Sequence, residues 1–168
     1  DNGMNELAYE AMDKKDMPGY GWWISQGATT TWEEWNGNNS RNHPMFGGGF
    51  TWFYRKLAGL NTDQKEVGYK HIIIKPCPPE AISYATYSTR TPYGVAGVDW
   101  KKQEKSFKMD VEVPVGSHAT VYLPVISGKT VKESGNAIHK VKGISFKGIQ
   151  DGYAVMEVPS GKYSFETD

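Results

Sequence analysis

Apolar and polar positions alternate with two different periods along this chain, and the change of period divides it. Met4, Leu7, Ala8, Ala11 and Met12 follow the i, i+3, i+4, i+7, i+8 spacing of an amphipathic helix, with Glu6 and Glu10 on the other face. The pattern stops at Asp13-Lys14-Lys15, and Pro18-Gly19 prevents its continuation. Residues 16–43 show no sustained period and read as a long ordered loop holding at most a short turn. Loops of that length in a compact domain are usually functional. A second helix is predicted from Pro44, since proline suits the first helical position. Phe46, Phe50, Phe53, Leu57 and Leu60 form its apolar stripe, and Gly59 is placed to cap its end. Gly47-Gly48-Gly49 in its first turns lowers helix propensity by about 1 kcal/mol per residue. Their expected reason is a close approach to the backbone, by a neighbouring helix in preference to a ligand beside His43.

From Tyr69 onward the period is two. Strands are predicted at 71–75, 82–89, 94–100, 106–113, 119–123, 144–146, 153–158 and 161–165. They are rich in β-branched and aromatic residues and separated by Gly, Pro and Asn turn signals. The segment 106–113 alternates cleanly and so has one wet face. The fold class is therefore α+β in two parts, a helical portion over residues 1–66 and an antiparallel β-sandwich over residues 67–168.

Charge sharpens that boundary slightly. Residues 1–66 hold six Lys/Arg against nine Asp/Glu, and the remainder thirteen against ten. The formal net charge of zero offers no basic surface, so no nucleic-acid partner is expected. No apolar run approaches membrane-spanning length, and no membrane partner is expected. Cys77 is the only cysteine and reads as a small buried filler between Pro76 and Pro78. His71, His118 and His139 are scattered without ligand spacing, so no metal site is expected from them. The chain shows no signal peptide; it starts Asp1-Asn2-Gly3, and its true N-terminus is expected to lie elsewhere.

The candidate chemistry lies in the unpatterned stretch Gly27-Ala28-Thr29-Thr30-Thr31-Trp32-Glu33-Glu34-Trp35, continued by Ser40-Arg41-Asn42-His43-Pro44. Two adjacent carboxylates sit between two indoles, and Trp22, Trp23 and Trp52 are near in sequence. A tryptophan cluster alone is ordinary core, and paired glutamates alone are an ordinary solvated face. Together, aromatic faces that pack sugar rings and carboxylates that move protons suit glycoside chemistry. On spacing alone, Glu33 and Glu34 are not distinguished.

The run Gly27-Ala28-Thr29-Thr30-x-Trp32-Glu33-x-Trp35, then Asn42-His43-x-x-Phe46-Gly47, then Trp52-x-Tyr54-Arg55-x-x-Ala58-Gly59-Leu60, resembles the C-terminal part of bacterial α-L-rhamnosidases, glycoside hydrolase family 78. The likeness continues through Ile74-x-Pro76 and, more weakly, through Gly94, Gly97 and Trp100. It implies the last portion of a six-hairpin α/α barrel followed by the closing β-sandwich. It implies Glu33 as the general base that deprotonates the attacking water, with inversion, and His43 as a hydrogen-bond partner of bound rhamnose. Trp32 and Trp35 are candidate pocket residues. The implied partner is a rhamnose-containing glycan or glycoside, with no cofactor and no metal. Nothing here matches the family's general-acid segment, so the chain reads as a fragment that needs upstream barrel segments and is inactive alone. A non-catalytic sugar-binding or structural module is the alternative. The family's usual setting would be periplasmic or extracellular, which the sequence does not decide.

Overall fold

The computed structural model describes residues 3–128 and 130–168. Asp1, the first acid of the chain, lies outside them. The chain divides into two compact units, Asp1–Phe53 and Tyr54–Asp168.

In the first unit, α1 spans Asn5–Asp13, where the helical spacing predicted it. None of its residues is buried, and the predicted apolar face is open, with Met4 63% and Leu7 58% exposed. A second helix, α2, spans Tyr20–Ser25 inside the stretch read as loop. Its six residues are too few to display a period, and what fixes it is burial of Trp23.

The helix predicted from Pro44 is helical along most of its length but is not an α-helix. It opens as a 3-10 helix, Met45–Phe50, with Gly47 N–H donating to Pro44 O at 2.8 Å. It ends as a π-helix, Phe53–Ala58, in which Gly59 N–H reaches back five residues to Tyr54 O at 3.1 Å. Three consecutive glycines remove the propensity that would hold α geometry, and short 3-10 and π pieces replace it. The stripe read at α spacing is consequently split. Phe50 and Phe53 are each 37% exposed, Leu57 packs on the core of the second unit, and Leu60 already belongs to a strand. The close approach expected at the glycines occurs at Gly49 alone. A Cβ there would lie 2.6 Å from Tyr20 Oη, whereas Gly47 and Gly48 face open space.

The second unit is a two-sheet sandwich. Its strands are β1 (Leu60–Thr62), β2 (His71–Ile74), β3 (Tyr84–Thr91), β4 (Gly94–Lys102), β5 (Phe107–Val113), β6 (His118–Pro124), β7 (Val131–Glu133), β8 (Asn136–Ala137), β9 (Ser145–Gln150), β10 (Tyr153–Val158) and β11 (Gly161–Thr167). One sheet runs β1-β2-β6-β10-β9 and the other β3-β4-β5-β11-β7-β8. Pairing is antiparallel as expected except between β2 and β6, which run parallel with His71 opposite His118. The unpredicted β1 follows a tight turn at Gly59. There φ is +88°, and a Cβ would lie 2.2 Å from Pro76 N, so only glycine fits.

Alternation places Ile72 and Ile74 of β2, Ala96, Val98 and Trp100 of β4, and Phe107, Met109, Val111 and Val113 of β5 in one core with Val121, Leu123, Met156 and Phe165. Each such aliphatic side chain contributes about 1.5–3 kcal/mol. Trp100 is fully buried, and its indole N–H donates to Leu57 O at 2.9 Å, tying the π-helix to the sandwich. Cys77 is half-buried, not a fully buried filler, with Tyr153 Oη 3.7 Å from its sulfur. Burial, and after it the neighbouring thiol, pushes the Tyr153 phenol well above its usual range.

Candidate functional site

The stretch 29–35 turns back on 40–43 through a short ladder. Glu33 N–H donates to Ser40 O at 2.8 Å, and His43 N–H donates to Thr31 O at 2.8 Å. Side chains extend the ladder: Thr31 Oγ1 donates to His43 O at 2.5 Å, and Thr30 Oγ1 to Arg41 O. Two polar segments that no periodicity links are thereby held side by side, which fixes the backbone of both Glu33 and His43.

Behind this ladder lies the aromatic cluster, and its hub is Trp23. The Trp23 and Trp35 rings stack at 4.3 Å, and the Trp23 N–H donates to Trp35 O at 3.1 Å. Trp32 packs on Trp23 at 5.8 Å, and Phe46 on Trp35 at 4.5 Å. Tyr20 meets the edges of Trp23 and Trp35 and donates its hydroxyl to Phe46 O at 2.6 Å; burial raises its pKa. Trp23 is 2% and Trp32 5% exposed, while Trp35 remains half-buried. One Trp32 face carries the Arg41 guanidinium at 4.8 Å, and Gly37 lies against its benzene ring. The Arg41 Nε–H donates to Gly37 O at 3.0 Å. Trp23 organises the cluster, beyond the nearness in sequence that places it there. Its position in a short helix gave no signal of that.

The two carboxylates are held differently. Glu33 Oε2 accepts the Ser40 backbone N–H at 3.2 Å, and among the described residues this is its one side-chain bond. Glu34 Oε1 accepts the Asn39 side-chain amide at 2.7 Å. No ion pair to either glutamate exists among the described residues; Arg41 is engaged with Trp32 and Gly37. Glu33 Oε1, with no bond among the described residues, can accept from a water, as can Oε2 of Glu34. His43 is half-buried, and its Nδ1 accepts the Met45 N–H at 3.3 Å, capping the 3-10 helix. That bond leaves Nε2 as the protonated, donating nitrogen of the neutral ring. A cavity of about 220 Å³ opens nearby, lined by Tyr20, Trp23, Ile24, Ala28, Thr29, Thr30, Thr31 and Phe50.

Residues 1–57 match the bacterial alpha-L-rhamnosidase 6 hairpin glycosidase domain, and residues 59–138 match the bacterial alpha-L-rhamnosidase C-terminal domain. The chain belongs to the bacterial α-L-rhamnosidase family. An α-L-rhamnosidase of Formosa agariphila is 31% identical over 96% of this chain. The solved α-L-rhamnosidase from Dictyoglumus thermophilum superposes with a TM-score of 0.87 at 38% identity, covering 96% of this chain and 18% of that one. The Streptomyces avermitilis enzyme, solved in complex with L-rhamnose, gives 0.84 at 26% identity, covering 97% of this chain and 16% of that one. The chain thus spans under a fifth of the length of these relatives.

One cluster was invisible in the sequence. His71 and His118, 47 positions apart, stack at 4.5 Å because β2 and β6 pair in parallel, and Glu66 lies beside them.

Proposed function

We propose that this chain is the C-terminal portion of an inverting α-L-rhamnosidase and supplies that enzyme's general base. Glu33 takes the proton of the water that attacks the anomeric carbon, and His43 donates from Nε2 to a rhamnose hydroxyl. Trp35, half-buried, contributes to the wall of the sugar pocket, and Trp32, packed beneath Arg41, holds that wall in place. The catalytic portion gives way to the closing sandwich within residues 54–66. The carboxylic acid that protonates the leaving oxygen, about 6.5–9.5 Å from the base in an inverting enzyme, comes from upstream barrel segments. The isolated 168-residue chain is accordingly inactive.

The observation that carries this reading is the contrast between the paired glutamates. Glu33 is fixed by the ladder through both its backbone N–H and its Oε2, in the same ladder that holds His43, while Glu34 Oε1 is held by the side-chain amide of Asn39 at 2.7 Å. The experiment compares Glu33→Gln with Glu34→Gln in the enzyme-length protein, using an aryl α-L-rhamnoside. Glu33→Gln is expected to lower kcat by about 10²–10⁴-fold with rhamnose binding retained. Glu34→Gln should change kcat far less. Equal effects, or normal turnover by Glu33→Gln, would remove the assignment.

A further inference from the structure

We propose that Glu66, His71 and His118 form a binding site for a divalent transition metal of the zinc class, on the outer face of the five-stranded sheet. One ring nitrogen of each histidine and a carboxylate oxygen of Glu66 lie within 4.8 Å of one another. Two imidazoles and a carboxylate are a donor set that suits zinc, and three protein ligands leave a fourth position for water. The side chains of His118 and Glu66 are 40% and 43% exposed, which keeps that position accessible.

Three features set the cluster apart from a chance meeting of surface groups. First, the parallel register of β2 and β6 places His71 directly beside His118; the rings stack 4.5 Å apart and 11° from parallel, so the more exposed His118 ring must turn out of the stack to share an ion with His71. Second, the His71 side chain is only 14% exposed and is fixed at both nitrogens, by Asp63 Oδ2 at 2.9 Å and Thr120 Oγ1 at 2.8 Å. Third, each of those partners has its own support. Thr120 reaches Glu157 Oε1 at 3.5 Å, and Asp63 accepts the Lys65 backbone N–H at 2.9 Å. Binding requires one bond to His71 to yield. The Thr120 hydroxyl can turn to Glu157, or the Asp63 carboxylate can join the ion. The bond that remains then orients the ring from its far side, as outer partners of metal-bound histidines do. Donor separations must shorten to about 3.3 Å for bonds of ~2.0–2.1 Å in a tetrahedron. Side-chain rotation at half-exposed Glu66 and His118 can supply that movement.

The ion would join the loop after β1 to the start of β6, and so raise stability by linkage. The test titrates the tag-free, chelator-stripped chain with zinc chloride by calorimetry, and separately with cobalt(II) by visible absorption. One equivalent should bind, with a cobalt d–d band and a higher Tm. His118→Gln and Glu66→Gln, at the exposed positions, should still fold and should weaken binding at least about tenfold each. Asp63→Asn should weaken it about 10–100-fold, as loss of an outer partner does. Absence of saturable binding overturns the proposal, and so does binding that both exposed variants leave unchanged. Neither outcome depends on rhamnosidase activity.

Discussion

Gly37→Ala should loosen the aromatic cluster beneath Glu33, by an amount that a matched control can isolate. Gly37 has φ +76°, and a Cβ there would lie 2.6 Å from Cζ3 and 2.9 Å from Cε3 of Trp32. Gly27 has nearly the same backbone, φ +78°, but a Cβ there meets nothing within 4 Å. Left-handed backbone costs a non-glycine residue about 1–2 kcal/mol. The loss of unfolded-state freedom offsets about 0.4–1 kcal/mol of this. Gly27→Ala should therefore cost about 1 kcal/mol. Gly37→Ala adds the overpacking of a buried indole that is already enclosed by Trp23 and Arg41, typically 1–3 kcal/mol, for a total of about 2–4. Urea unfolding followed by tryptophan fluorescence reads this directly, because five of the six tryptophans lie in residues 1–53. Equal destabilisation by the two substitutions would refute the claim that Gly37 is required by contact with Trp32.

Two further outcomes are expected in the second unit. Trp100→Phe leaves Leu57 O without its donor and opens a cavity at a fully buried ring, and should cost about 2–4 kcal/mol in denaturant unfolding; Leu57→Ala combined with it would be additive if the contact between the two residues were incidental. The Lys65 backbone N–H, and after it His71, hold the Asp63 carboxyl below the ordinary value of 3.8. Its stabilisation is therefore present above that value and lost as pH falls through the lower folded pKa. Denaturant midpoints at pH 7 and near pH 2 should show Asp63→Asn destabilising the first and nearly neutral at the second; a pH-independent difference would contradict the linkage.

Most strands of the sandwich were legible because alternation is a local signal. In β5, Phe107, Met109, Val111 and Val113 point inward and Lys108 and Asp110 outward, as their sequence says. What failed was short or non-local. The β1 segment Leu60-Asn61-Thr62 has three residues and owes its pairing to the turn at Gly59, so its strand character was hidden behind a helical stripe. In α2, Trp23 is buried by partners at positions 32, 35 and 46, and no period within six residues can announce that. The candidate site was legible as a composition, two carboxylates between indoles. Which glutamate is fixed in the same ladder as His43 depends on the pairing of 31–33 with 40–43, and so on a fold the sequence does not display. The stacking of His71 on His118 depends on strand order, for the same reason.

Chemical rescue tests most directly whether Glu33 activates the attacking water. In the enzyme-length protein, Glu33→Ala should abolish hydrolysis of an activated aryl α-L-rhamnoside while leaving the upstream acid and the sugar pocket intact. Azide is already an anion and needs no base, so it can occupy the space that the side chain vacates and attack the anomeric carbon in place of water. Added azide should restore release of the aryl group and yield the rhamnosyl azide of inverted, β configuration, identified by NMR. No rescue, or an azide product of retained configuration, would contradict the account.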